Sequence, residues 1–320
     1  MINDFINKIE IANYKCLNGL NVDKFQRVNL IGGENNVGKT AFLEVCYLIS
    51  SANRLNNFLF SLMMIERNRD KLNICISDDI NIADILKNNT YIEIASINNI
   101  KYEVKEVNFN SLIEVTLNNT TVTIDFKDKI SFEKSDKILF IDNLGFSNSE
   151  FKDIYKAAQF KDKDMQINEF LKNFNFENPK FKIIDDKPYL KTNDHGEYKQ
   201  LNNFGDGVKH YISIICSLYF CEDGYLFIDE IENGIHYKLY DKLWEIILTT
   251  SREVNTQVFI TTHSKECIES YNRVSGKLNI KEAMYFEMGK NKNNDNIFMR
   301  NLDNKQLEYE LTHQGRYRGE

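Results

Sequence analysis

The eight residues Gly33-Glu34-Asn35-Asn36-Val37-Gly38-Lys39-Thr40 restrict this chain more than any other stretch. They spell G-x-x-x-x-G-K-[ST] directly after the apolar run Val28-Asn29-Leu30-Ile31 and directly before the helical pattern Ala41-Phe42-Leu43-Glu44-Val45. Strand, glycine loop and helix in that order form a phosphate cradle. The glycines let successive backbone N–H groups turn inward, and the helix adds its positive N-terminal end. In that reading Gly33, Asn35, Asn36 and Gly38 line a triphosphate, Lys39 reaches its β- and γ-phosphates, and the Thr40 hydroxyl completes the oxygen shell of a Mg²⁺ ion. An ordinary glycine turn is the plainer alternative, and the rest of the chain decides between them.

Tyr225-Leu226-Phe227-Ile228-Asp229-Glu230 is apolar on both faces and too short for a helix, as suits a buried parallel strand ending in two carboxylates. Asp229 is expected to bind Mg²⁺ and Glu230 to orient or deprotonate an attacking water. Taken alone, adjacent acids also suit a solvated turn or a helix N-terminus. Val258-Phe259-Ile260-Thr261-Thr262-His263 is another β-branched run, and a parallel pairing would set His263 beside Asp229 and Glu230. A lone histidine after a strand is more often structural, so the weight of His263 comes from its neighbours. Phe204-Gly205-Asp206-Gly207-Val208-Lys209-His210 precedes the run Tyr211-Ile212-Ser213-Ile214-Ile215-Cys216 and predicts a glycine loop opening an apolar helix.

These motifs and their order resemble the SMC, RecF and OLD branch of ABC-type ATPases. The order is a phosphate loop near the N-terminus, a long middle region, the G-x-G loop, I-D-E-x-E-N-G-x-H over residues 228–236 and T-T-H-S over residues 261–264. The resemblance is closest to stand-alone AAA-labelled ATPases of bacterial antiviral defence and repair operons. It covers residues 1–50 and 200–270 closely and the middle in outline. It implies an α/β P-loop NTPase fold with an ABC-type head: a mixed sheet core, an antiparallel β subdomain and a helical insertion. Residues 1–320 then form a single head, with residues 67–200 as an inserted β-hairpin and helical region. The resemblance also implies ATP and Mg²⁺ as cofactors, a homodimer or higher oligomer closed around ATP, and His263 as the switch histidine on the γ-phosphate. Gly205, Asp206 and Gly207 would be the signature loop facing a partner's phosphate loop, and residues 232–237 the dimer-contacting turn after the acids. Transporter signatures place a serine where this chain offers Gly205 and Asp206. Gln159 and Gln166 are candidates for the coupling glutamine by position alone.

A chain of 320 residues that is 42% hydrophobic can bury a large core and an inserted subdomain. Its formal net charge of −7 argues against a globally basic nucleic-acid binder, while a basic groove formed on dimerisation stays open. No run approaches the ~20 apolar residues of a membrane span, and Met1-Ile2-Asn3-Asp4-Phe5 lacks the parts of a signal peptide. A cytoplasmic protein with no membrane partner is expected. Cys16, Cys46, Cys75, Cys216, Cys221 and Cys267 show no C-x-x-C pair and no histidine at zinc spacing, and read as small buried hydrophobes.

Short alternating runs over residues 5–31 predict antiparallel strands ahead of the phosphate loop, and residues 41–66 a helical stretch. Four further runs between Tyr91 and Phe126, separated by Asn98-Asn99 and Asn118-Asn119 among others, predict a meander of hairpins. Ile138-Leu139-Phe140-Ile141 predicts a strand, residues 147–174 two polar-faced helices, and Asp303 to Leu311 one amphipathic helix. Lys152, Lys156, Lys161 and Lys163 alternate with Asp153, Asp162 and Asp164, which favours a solvated face over a phosphate-binding patch. No heptad arm and no nuclease domain after residue 300 are expected.

The expected function is a Mg²⁺-dependent ATPase that dimerises around ATP and controls a separately encoded nuclease or toxin in antiviral defence. Two alternatives stay open: a RecF-like repair ATPase binding DNA directly, and an ATP-bound scaffold that sequesters a partner with little turnover.

Overall fold

The computed structural model describes residues 5–70, 91–97, 99–106, 112–125, 136–142, 145–146, 148–291 and 295–313. Strands β1 (Lys8–Asn13) and β2 (Leu20–Asp23) lead into β3 (Val28–Gly33), after which the glycine loop opens helix α1 (Lys39–Ser51), followed by α2 (Leu55–Asp70). Next come β4 (Tyr91–Ala95), β5 (Ile100–Glu106), β6 (Leu112–Leu117) and β7 (Thr120–Asp125). They form the meander expected from their alternation and join the leading strands in an antiparallel sheet of order β2-β1-β4-β5-β6-β7. Of the asparagine turns, Asn118 adopts φ 55 between β6 and β7, whereas Asn98 lies outside the described residues.

Strand β8 (Ile138–Ile141) is followed by α3 (Asn148–Gln159), α4 (Asp164–Leu171) and a small sheet of β9 (Lys180–Ile184), β10 (Lys187–Lys191) and β11 (Lys199–Gln200). The chain then runs through α5 (Asp206–Phe220), β12 (Tyr225–Ile228), α6 (Tyr240–Glu253), β13 (Gln257–Thr261) and α7 (Lys265–Lys277). It continues with β14 (Ala283–Lys290), β15 (Ile297–Leu302) and α8 (Asn304–Thr312). The central sheet has the order β15-β14-β3-β13-β12-β8, parallel throughout except for the antiparallel edge pair β14–β15. β8 lies within residues 67–200 and yet is an edge strand of this central sheet.

The unbroken apolar runs exist because the central sheet is covered on both faces. Along β12, Leu226 and Ile228 enter one core with α5, α6 and α7, while Tyr225 and Phe227 enter a second core with α1 and the antiparallel sheet. β13 divides in the same way, with Val258 and Ile260 on one side and Phe259 on the other. In the second core Phe25 packs on Phe42, Phe259 and Phe286 at ring separations of 5.9, 5.5 and 4.7 Å. Each such ring removed from water stabilises the fold by about 1.5–3 kcal/mol. The polar Asn29, fully buried within β3, is accommodated because its amide donates to the carbonyls of Gln26 and Val258 and its oxygen accepts from the Gln26 N–H.

Cys46, Cys216, Cys221 and Cys267 are buried as expected, and burial pushes their thiols up where a shift is resolved. Cys16 is exposed instead, and Cys75 lies outside the described residues. Among the described residues no helix is long and apolar enough to cross a membrane.

Candidate active site

Parallel pairing brings the carboxyl ends of β3, β13, β12 and β8 to one edge of the central sheet, where open α/β sheets bind ligands. β3 ends in the glycine loop. Gly33 has φ 140 and approaches β14 so closely that a Cβ would stand 2.0 Å from the Met288 carbonyl oxygen, so only glycine fits there. Gly38, at φ 89, is the N-cap of α1, and Asn36 at φ 59 helps to turn the loop. Lys39 begins the helix and is buried. Its ammonium donates to the carbonyls of Gly33 at 2.9 Å and Glu34 at 2.6 Å. Burial lowers its pKa to about 8, opposed by the charges of Glu232, Asp229, Glu230 and Glu34.

The Thr40 hydroxyl faces the Asp229 carboxylate at 3.0 and 3.3 Å. Asp229, at the end of β12, also accepts from the Thr261 hydroxyl at 2.5 Å, while the Thr261 oxygen accepts the Glu230 N–H at 2.9 Å. One threonine on β13 thereby fixes both acids after β12. Burial raises the Asp229 pKa, and Glu230 is raised by burial and by Glu232. His263 stands two residues beyond β13, with Nε2 3.5 Å from Glu230 Oε1. Its pKa is lowered by burial and by Lys39. Phosphate loop, paired acids and histidine are thus adjacent, and the hard oxygens of Thr40 and Asp229 form a donor set that fits a small divalent cation.

Gly205, Asp206 and Gly207 stand elsewhere. Gly205 (φ 84, ψ 162) caps α5, and a Cβ on Gly207 would stand 2.0 Å from the Gly234 carbonyl oxygen. Among the described residues the loop therefore packs on the 233–234 turn, with Gly145, Lys209, His210 and Ser213 around a cleft of about 190 Å³. Gln159 ends α3 and Gln166 lies in α4, so neither occupies a strand end beside Asp229. The residue that does is Asp142, buried directly after β8, where the Asp229 N–H donates to the Ile141 carbonyl. A single acid after a four-residue apolar run gave no usable signal. Nor did sequence order show that the Glu232 Oε1 accepts the His263 N–H at 2.6 Å, across 31 positions.

The sheet order and the grouping of these residues define a P-loop ATPase fold of the ABC and SMC type. Among solved structures, an SmcHead bound to the C-winged helix domain of ScpA superposes with a TM-score of 0.57 at 13% identity, covering 94% of this chain and 98% of that one. The Smc head domain with an extended coiled coil bound to the C-terminal domain of ScpA, derived from Pyrococcus furiosus, gives 0.54 at 11% identity, covering 97% and 99%. At these identities the likeness is one of fold. Residues 28–269 match the family described as "AAA domain, putative AbiEii toxin, Type IV TA system", and the chain belongs to it. A Helicobacter pylori protein named "ATP/GTP phosphatase" is 25% identical over 327 aligned positions, covering 84% of this chain and 88% of that protein.

Proposed function

We propose that this ATPase is Mg²⁺-dependent, that its complete sites form between two copies, and that ATP-driven association controls a separately encoded nuclease or toxin. The observation that carries the reading is that the strand-end residues and the 205–207 loop have different neighbours within one chain. Lys39, Thr40, Asp229, Glu230 and His263 gather at the strand ends, whereas the 205–207 loop packs on the 233–234 turn of the same chain. A second copy could present that loop to the phosphate loop of the first.

In this mechanism Lys39 turns its ammonium from the Gly33 and Glu34 carbonyls to phosphate oxygens. Thr40 Oγ1 and the Asp229 carboxylate would hold Mg²⁺, which would supply positive charge against the phosphates. Glu230 takes the proton of the attacking water on a carboxylate oxygen. Its raised pKa suits a base better than a fully solvated glutamate would. His263 offers Nε2 to the terminal phosphate, and the N–H groups at the start of α5 serve the partner's site. We read the chain as one head over residues 1–320 with residues 67–200 inserted, and as cytoplasmic.

A place in a toxin–antitoxin type of system is in keeping with the family description, which names a putative toxin, and NTP hydrolysis with the name of the Helicobacter pylori relative. Direct DNA binding by the α3–α4 face is disfavoured by internal pairing: Lys152 with Asp186, Lys161 with Glu222 and Lys163 with Glu253, at 2.5, 2.6 and 2.5 Å. The test uses Glu230→Gln, which keeps the shape of the side chain but cannot accept the proton. Hydrolysis should slow by roughly two to four orders of magnitude, and light scattering with Mg²⁺ and ATP should show a stable dimer. Parental turnover would remove Glu230 as the base. A variant that stays monomeric with ATP bound would remove the two-copy site.

A further inference from the structure

Beside the phosphate loop, two buried polar atoms have no hydrogen-bond partner among the described residues: Glu232 Oε2 and His263 Nδ1. They belong to residues that are already joined, because the His263 backbone N–H donates to the other Glu232 oxygen. Glu232 is itself held in a compact turn, where the Asn233 N–H donates to the Glu230 carbonyl at 2.9 Å and the Ile235 N–H to the Glu232 carbonyl at 3.0 Å. A buried polar group left without a partner is costly, and a catalytic role or a bound ion or water is among the reasons such a group persists.

Among the described residues Glu230 is the carboxylate within ion-pair distance of the imidazole, so the two orphans do not meet in this structure. A neutral imidazole that turns Nε2–H toward Glu230 Oε1 leaves Nδ1 with a lone pair, which a carboxylate oxygen cannot satisfy. The charged groups around the imidazole are Glu230, Glu232, Asp229 and Lys39; burial first and the Lys39 charge second oppose a second proton. A triphosphate beside Lys39 offsets the second of these and adds negative charge beside Nε2. We propose that Glu232 is the positioning residue for His263: Oε1 holds the backbone, and Oε2 accepts the imidazole Nδ1–H once a triphosphate is bound, leaving Nε2–H to donate to the terminal phosphate. The second proton comes from solvent. The inference rests on the nucleotide-site reading above and adds to it a carboxylate that touches neither metal nor phosphate.

The test combines two readouts that do not depend on turnover. In ¹⁵N-histidine-labelled protein, with the His263 signals identified by their absence in His263→Gln, Nδ1 should be unprotonated without nucleotide. It should be protonated with Mg²⁺ and the β,γ-imido analogue of ATP. Glu232→Gln keeps an oxygen for the backbone but cannot accept from Nδ1–H, so the Nδ1 proton should be lost. Hydrogen exchange at the His263 amide in the nucleotide-free protein should stay slow in Glu232→Gln and accelerate at least tenfold in Glu232→Ala. In turnover, Glu232→Gln combined with His263→Ala should be no worse than His263→Ala alone. A parent protein that binds the analogue with Nδ1 still bare overturns this proposal alone. Failure to bind any analogue overturns the nucleotide site, and this proposal with it. Unchanged amide exchange in Glu232→Ala overturns the backbone anchor without involving nucleotide at all.

Discussion

His210 faces the 229–234 turn from α5 and is buried, with Nε2 unpartnered among the described residues. Burial lowers its pKa to about 4 from 6.5, against a bond to the Ile231 backbone and the Asp142 charge. Because the folded value is depressed, the unfolded chain binds the proton first as pH falls. Stability is therefore full above about 6.5 and is lost progressively toward 4. A shift of that size corresponds to about 3 kcal/mol. Urea unfolding at pH 5 and pH 7 should show a difference that His210→Gln removes; an equal difference in the variant would assign the loss to other groups. The residues that the sequence marks most clearly are those whose chemistry needs a fixed local spacing: Gly33, Gly38, Lys39 and Thr40 within one loop, and Asp229-Glu230 after one strand. Asp142, and the contact of the motif residue Glu232 with His263, escape such reading because the His263 amide and the end of β12 are brought to them only by tertiary folding.

At the scale of elements, two glycines in helices answer to different physics. Gly207 in α5 lies against the Gly234 carbonyl, so a methyl group must displace backbone, whereas around Gly276 in α7 nothing lies within 4 Å of an added Cβ. Gly207→Ala should lower the melting temperature and loosen the packing of α5 on the 233–234 turn. Gly276→Ala should raise stability by about 0.5–1 kcal/mol, the usual cost of glycine inside a helix. Calorimetric melts of both variants check the pair, and destabilisation by Gly276→Ala would reject the open space around that residue. The strands before the phosphate loop, the meander and the helix after Gly205 were legible from period and turn residues. The sheet of β9, β10 and β11 was not. Its strands are short and lysine-rich with no sustained alternation, Pro188 argues against a strand, and among the described residues β11 pairs with just Tyr189 and Leu190. What stabilises it is packing of Phe181 and Leu190 into the core beside α3, visible only once folded.

For the whole molecule, a site completed by a second copy predicts something that a self-contained site cannot give, which is recovery of activity on mixing two inactive variants. Gly207 is unsuitable for breaking the signature side, since its substitution damages packing on Gly234 in the same chain. Lys209 lies in the first turn of α5 and lines the cleft with Asp206 and His210. Glutamate there suits the positive helix end by about 0.3–1 kcal/mol, yet sets a negative charge where a partner's triphosphate must approach. Lys209→Glu should fold normally and lose at least about tenfold in ATPase activity, as expected for a lost phosphate contact. Lys39→Ala should lose nucleotide binding in its own loop, by about 2–5 kcal/mol. A heterodimer of the two has one site doubly broken and one built from the intact phosphate loop of the first chain and the intact signature of the second. With free exchange and independent sites, an equal mixture should regain about a quarter of parental activity, since half the dimers are mixed and each has one working site. Exchange is verified by pull-down of differently tagged chains. If exchange is complete and no activity returns, independent firing of trans sites is rejected, and parental activity in Lys209→Glu alone would reject the partner's use of this loop.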